Sequence, residues 1–280
     1  MNRNILLSVV AGGALLISAG TARAQGPHRG GPGFGGPMEL MGFEGGPGGK
    51  VVKGVPFSAT ASSETTGTLS DGTAIHRTAQ VTLYRDSQGR SRKELTASGF
   101  GPLAASGAPK TLVEISDPVA AVHYGLDTTA KVAYKSEIHA RAATSGDADN
   151  FHQKMEAREA ADEAAGLLKK ESLGTQVING VSAEGTRMTR TVPAGKIGND
   201  RAFQVVSERW YSPDLQIVVK STRSDPQSGT TTYQVTNIQK TEPAAALFAV
   251  PAGYTVTAGH GGRGPGGPGP GAPAAPASNE

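Results

Sequence analysis

Six histidines, His28, His76, His123, His139, His152 and His260, are the side chains best suited to proton transfer or metal ligation near neutral pH. No two stand in an H-x-x-x-H pair, and none has a metal-type spacing with a carboxylate. His76 and His123 fall inside strand-like runs, where a solvated or hydrogen-bonded imidazole is expected rather than a ligand. The chain has no cysteine, which excludes a thiol nucleophile and a disulfide framework, and no G-x-S-x-G elbow occurs. Gly31, Gly33 and Gly36 satisfy G-x-G-x-x-G by count alone, because no strand precedes them and Pro37 follows. "GGPGGK" fails as a phosphate loop, with Glu44 in place of the first glycine and Val51 after Lys50.

Four further groups could carry chemistry. Glu156, Glu159, Asp162 and Glu163 lie on a helical stretch with Lys154 and Arg158 close by, so a solvated, partly paired face is expected. Glu208, Arg209 and Asp214 flank a hairpin and read as rim charges. "RDSQGRSRK" gathers Arg85, Arg90, Arg92 and Lys93 at one turn, a pattern that suits an exposed hairpin or, alternatively, a contact for acidic headgroups. Trp210 is the only tryptophan and stands beside Tyr211. As neighbours in a strand the two rings point to opposite faces, so a packing role is expected over ligand stacking. No catalytic constellation emerges, and no catalytic, cofactor-binding or metal-ligating residue is assigned.

The elements that must hold these residues are mostly strands. Val55, Phe57, Ala59 and Ala61 alternate with polar partners up to Asp71-Gly72, and Ile75 to Tyr84 returns with Ile75, Ala79, Val81 and Leu83 on one face. Ser91 to Ala97 continues the pattern. "TLVEIS", "VAAVHYGL" and "VAYKSEI" read as three more strands. Residues 149–170, rich in helix formers, read as one long surface helix with lysines at its C-terminal end and a thin stripe of Ala157, Ala161, Ala164 and Leu168. Beyond it, "TQVING" and "VSAEGTRMTRTV" flank Asn179-Gly180, a strong hairpin dipeptide. "AFQVVSERWY" then turns at Ser212-Pro213-Asp214 into "LQIVVKSTRS", and "DPQSG" turns into "TTYQVTNIQK".

The two ends differ from this middle. Residues 1–24 have a basic start, a short apolar run and an A-x-A pattern, the signature of a secretory signal cut between Ala24 and Gln25. Removing Arg3 and Arg23 from 27 Lys plus Arg leaves 25 against 24 Asp plus Glu, a mature charge of +1. Nucleic acid is therefore not an expected partner, and the mature chain has no apolar stretch long enough to span a bilayer. Residues 25–49 and 258–280 are dominated by Gly, Pro and Ala and are expected to be a flexible leader and tail. Residues 50–257 are expected to form a single mainly-β domain.

"TEPAAALFAVPAGYTV", Thr241 to Val256, places a Pro-started helical turn before Leu-Phe, Val-Pro and Gly-Tyr. It resembles the C-terminal signature of the LolA-type and RseB-like periplasmic lipoprotein-carrier superfamily. Together with "ERWYSPDLQIVV", "SLGTQVINGVSAEGTR" and "DGTAIHRTAQVTLYRDSQGRSR", the chain also resembles a secreted family of unknown function from acidobacteria. The resemblance implies an α+β, mainly-β fold: a curved antiparallel sheet forming a half-open barrel with one long surface helix. It implies a periplasmic or secreted, non-enzymatic binding or carrier module without a cofactor. The implied partner is a lipid, a lipoprotein or another envelope component. A structural protein tethered by its flexible ends is the alternative, and an envelope enzyme is a third.

Overall fold

A computed structural model describes residues 51–69, 71–97, 110–138 and 145–259, all within the compact unit Phe34–Glu280. The expected signal and cleavage site at Ala24 and Gln25, the leader, most of the tail and the glycine motif at Gly31 lie outside the described residues. Among the described residues twelve strands make one sheet in the order β12-β6-β5-β4-β3-β2-β1-β11-β10-β9-β8-β7. Two meanders build it. The first runs through β1 (Phe57–Thr68), β2 (Ala74–Arg85), β3 (Ser91–Ala97), β4 (Lys110–Asp117), β5 (Val122–Asp127) and β6 (Val132–Glu137). The second runs through β7 (Leu168–Ile178), β8 (Val181–Val192), β9 (Phe203–Ser212), β10 (Ile217–Asp225) and β11 (Gly229–Gln239), and β11 pairs with β1 to join the halves. β7 and β12 (Thr255–Ala258) do not pair with each other, so the curved sheet stays unclosed. Register shifts between Ser58 and Thr60, Ser172 and Gly174, and Val218 and Lys220 bend it locally.

Turn chemistry sets most strand ends. Asn179 (φ 48) and Gly180 (φ 82) form the expected two-residue hairpin, and the Asn179 side chain donates to the Val235 carbonyl at 2.6 Å, pinning the tip to β11. The turn expected at "DTTAK" is present, and a second of the same build precedes it. Asp117 Oδ1 accepts the N–H groups of Val119 and Ala120, and Asp127 Oδ1 those of Thr129 and Ala130; Ala121 and Lys131 follow at φ 54. The expected strand "VAAVHYGL" therefore starts only at Val122, because the carboxylate of Asp117 captures the preceding backbone. Likewise Leu215 and Gln216 belong to the turn after Pro213 rather than to β10, with Gln216 N–H bonded to the Ser212 carbonyl at 2.7 Å.

Among the described residues one helix, α1, spans Ser145–Ala164, not 149–170. Gly166 at φ 69 stops it: its N–H returns to Glu163, and the Leu167 N–H returns to Asp162. That is a Schellman end, and it throws Leu168 into β7, where it is buried. Lys169 and Lys170 are thus strand residues. Lys170 reaches back to Glu159 at 2.8 Å and Glu163 at 2.9 Å and ties the helix to the sheet edge.

The strand register shows a change of covered face. Directly opposed residues share a face, so one row reads Ala59, Leu83, Lys93, Glu114, Gly125 and Tyr134. The main core, with Phe57, Ala59, Ala61, Val81, Leu83 and Leu95, is on this face in β1 to β3, and residues of β8 to β11 complete it. In β4 to β6 the buried residues Val113, Ile115, Leu126 and Ala133 project from the other face. Residues 240–254 cross that second face. Their 3-10 turn Ala245–Phe248 lies against β3 and β4, Val250 and Tyr254 pack on the second core, and Arg92 donates to the Leu247 carbonyl at 3.1 Å. The strap ends in β12, which pairs parallel with β6, the one parallel pair in an otherwise antiparallel sheet. A connection of this length permits parallel pairing, which a tight hairpin does not.

Candidate functional site

Because the second core uses the far face of β4 to β6, the near face of these strands has a different lining. Gly125 stands at its centre. Among the described residues no heavy atom lies within 4 Å of where a Cβ at Gly125 would be. Glu114 on β4 and Tyr134 on β6 are its direct cross-strand neighbours, and His123 and Asp127 flank it along β5. The result is a notch one residue wide in the side-chain layer, framed by Glu114 and Tyr134, whose backbones lie about 10 Å apart across the strands, and by His123 and Asp127, about 13 Å apart along β5. Tyr134 is 42% exposed, and the next row of the same face carries Leu112 and Val132 on either side of Asp127, so the notch has apolar residues at two corners and one edge.

Its other side is polar and half-buried. Lys93 is only 3% exposed and is directly opposed by Glu114 across β3–β4. Ser116 and Ser136 flank His123 across the two strand pairs. The Nδ1 atom of His123 is buried and has no hydrogen-bond partner among the described residues. Burial pushes the imidazole below its ordinary range; Glu114 pulls the other way and Lys93 adds to the depression. A neutral ring with an unpartnered buried nitrogen is costly by about 1–3 kcal/mol, and an incoming polar group would recover part of that. Neither serine hydroxyl bonds to Nδ1, so no nucleophile–base couple forms there.

The residues singled out from sequence fall elsewhere. Trp210 is 6% exposed and packs over Gly185, its register partner, as the structural reading expects; the Arg209 guanidinium sits 5.5 Å from the Tyr211 ring centre. The basic cluster is not an exposed turn. Arg85, 4% exposed, lies over Phe57 and donates to the Val55 and Leu215 carbonyls; Arg90 pairs with Asp86 and Arg92 with Glu94, each at 2.6 Å. Alternation along β2 and β3 turns Arg85 and Lys93 into the covered face, which spacing at a hairpin could not reveal. The helix acids are solvated and partly paired as expected, with partners from β7 and β8: Asp162 pairs with Arg190 and not with Arg158. Glu208 pairs with Arg187 at 2.7 Å, Asp214 approaches Lys240 at 3.9 Å, and His76 bonds Glu64 at 2.7 Å on the surface. His28, His139 and His260 lie outside the described residues, as does the side chain of His152. Among the described residues no cluster of three or more His, Asp or Glu could hold a metal ion. Sequence reasoning met His123 only as a strand histidine and passed over Gly125; a glycine inside the strand-like run "VHYGLD" was the available signal.

No family model matches the chain, and no curated protein matches it. Among solved structures, an uncharacterized conserved protein from Thermus thermophilus is 9% identical, with 73% of this chain and 91% of that one covered at a TM-score of 0.37. The MucA/MucB complex of Pseudomonas aeruginosa gives 13% identity, 69% and 55% coverage and a TM-score of 0.35, so this chain spans about half the length of that one. A LolA superfamily protein from Nitrosomonas europaea gives 10% identity, 71% and 91% coverage and a TM-score of 0.24. The fold class rests on the chain's own strand order and pairing.

Proposed function

We propose that this chain is a non-enzymatic binding module of the cell envelope, exported by residues 1–24, that holds an amphiphilic ligand such as a lipid or the acyl group of a lipoprotein. The observation that carries the reading is the notch at Gly125, open where its neighbours carry side chains and lined on one side by Tyr134, Leu112 and Val132. The main core is filled with Phe57, Val81, Ile217, Val219 and Tyr233, so ligand occupies the notch face rather than the core. No helix among the described residues is long and apolar enough to cross a membrane. The near-neutral charge of the chain favours burial of apolar area as the driving force.

Titration of the purified full chain with a dodecanoyl-chain fluorophore tests this. Saturable binding is expected in the wild type and is abolished in Gly125→Val. Valine is a strand former, and the position is open, so that variant fills the notch without disturbing the fold. Absence of saturable binding in the wild type, or equal binding in Gly125→Val with an unchanged circular dichroism spectrum, refutes the reading.

A further inference from the structure

The two sides of the notch specify more than an apolar ligand. We infer that it selects an uncharged head that both donates and accepts a hydrogen bond, an amide or hydroxyl joined to an apolar chain, and that His123 Nδ1 is the partner of that head. The inference rests on the binding-module reading above and adds the head-group class to it.

Charge supplies the first argument. On the notch face, Lys93 of β3 and Glu114 of β4 oppose each other, so the polar side already carries one charge of each sign. β6 offers Ser136 and Tyr134 to this face, and β5 offers Asp127, whose Oδ1 already accepts the N–H groups of Thr129 and Ala130. Lys93, Glu114 and Asp127 leave this face with one more negative group than positive, so an additional carboxylate would be desolvated against Glu114 and Asp127, which is far costlier than burying a neutral polar group that finds a partner. An ammonium only donates, and it satisfies Nδ1 in the acceptor tautomer alone.

The orphaned nitrogen supplies the second. Nδ1 of a neutral imidazole is an acceptor in one tautomer and a donor in the other, and which one is present is set by the groups around the ring. An amide or a hydroxyl satisfies both cases. A free carboxylate satisfies only the second. The gap over Gly125 lies two residues from His123 on the same face, so a head at Nδ1 leaves its chain directed over Gly125 toward the row Leu112, Asp127 and Val132, in which the Asp127 carboxylate is engaged by its own turn. Head and chain sites are therefore continuous.

Displacement of the bound dodecanoyl fluorophore by monolaurin, N-lauroylglycinamide and laurate separates the possibilities, since the three share one chain length. Monolaurin and N-lauroylglycinamide are expected to compete at about tenfold lower concentration than laurate, the worth of one hydrogen bond to a buried group. The preference is expected to shrink to about twofold or less in His123→Phe, which keeps a ring and loses Nδ1. In the wild type, the ¹⁵N resonance of His123 Nδ1 is expected to shift on adding either neutral ligand, a readout that does not depend on how well the variant folds. If the three ligands compete alike, or laurate wins, or the Nδ1 resonance stays fixed at saturation, the inference falls while the binding reading stands. If the fluorophore itself does not bind, both fall together. A preference for only one of the two neutral ligands identifies an ester-linked or amide-linked source and supports the inference.

Discussion

Gly185 gives the sharpest test of how the core is built. It lies on β8 opposite Trp210, and a Cβ there would stand 2.6 Å from Cζ3 and 2.7 Å from Cη2 of the indole, and 2.8 Å from the Leu173 Cβ. Carbon atoms pack at about 3.5–4.0 Å, so each contact is short by about 1 Å. Rotation cannot relieve the overlap with Leu173, because a Cβ is fixed to its backbone, and the ring of Trp210 is itself packed. Overpacking of this kind costs about 1–3 kcal/mol, and replacing glycine in a strand returns about 0.5–1 kcal/mol, so Gly185→Ala should lose about 1 kcal/mol. With a urea slope of about 2 kcal/mol/M the midpoint falls by about 0.5 M. Circular dichroism follows the transition in every variant, and fluorescence of the sole tryptophan reports the same site in those that keep it. Trp210→Phe should make room for the new methyl, so the double variant costs less than the sum of the single ones. An unchanged midpoint in Gly185→Ala, or strict additivity in the cycle, refutes the packing argument.

Glycine at a turn separates backbone strain from collision. Gly72 (φ 86) has open space around it and Gly229 (φ 87) would place a Cβ 2.0 Å from the Thr66 carbonyl oxygen. Gly72→Ala should therefore cost about 1–2 kcal/mol and Gly229→Ala several kcal/mol more, which thermal unfolding compares directly. Arg85→Met removes a donor from the Val55 and Leu215 carbonyls inside the core and should cost about 3 kcal/mol in urea titration; Arg85→Lys should recover little, since a single ammonium replaces a fork. The His123 imidazole is depressed in the folded state by burial, so the unfolded chain binds the proton more readily. Stability contributed at this site is complete above the ordinary histidine pKa of 6.5 and declines as pH falls through it. Urea midpoints measured between about pH 8 and about pH 5 should fall less in His123→Phe than in the wild type, and equal slopes would contradict the assignment.

Much of the fold was legible in residue order because its causes are local. Alternation in "FSATASSE" and "VSAEGTRMTRTV" marks strands, and Asn179-Gly180 is able to take positive φ at both positions, so β3 and β8 end where reading predicts. The helix failed at its C-terminal end for a local reason as well: Gly166 outweighs the good helix formers after it, and the lysines that suit a helix terminus belong to an edge strand. Other features depend on contacts between distant segments. Alternation says that side chains point both ways, but which way is covered depends on what lies over each half of the sheet. The main core covers one face of β1 to β3, and the strap that ends in β12 covers the opposite face of β4 to β6. That exchange of faces buries Arg85 and Lys93, leaves His123 Nδ1 without a partner, and opens the space over Gly125. Residue order alone set the strands and most of their turns; the long-range register of the strands and the path of residues 240–254 decided which surfaces are filled and which can receive a ligand.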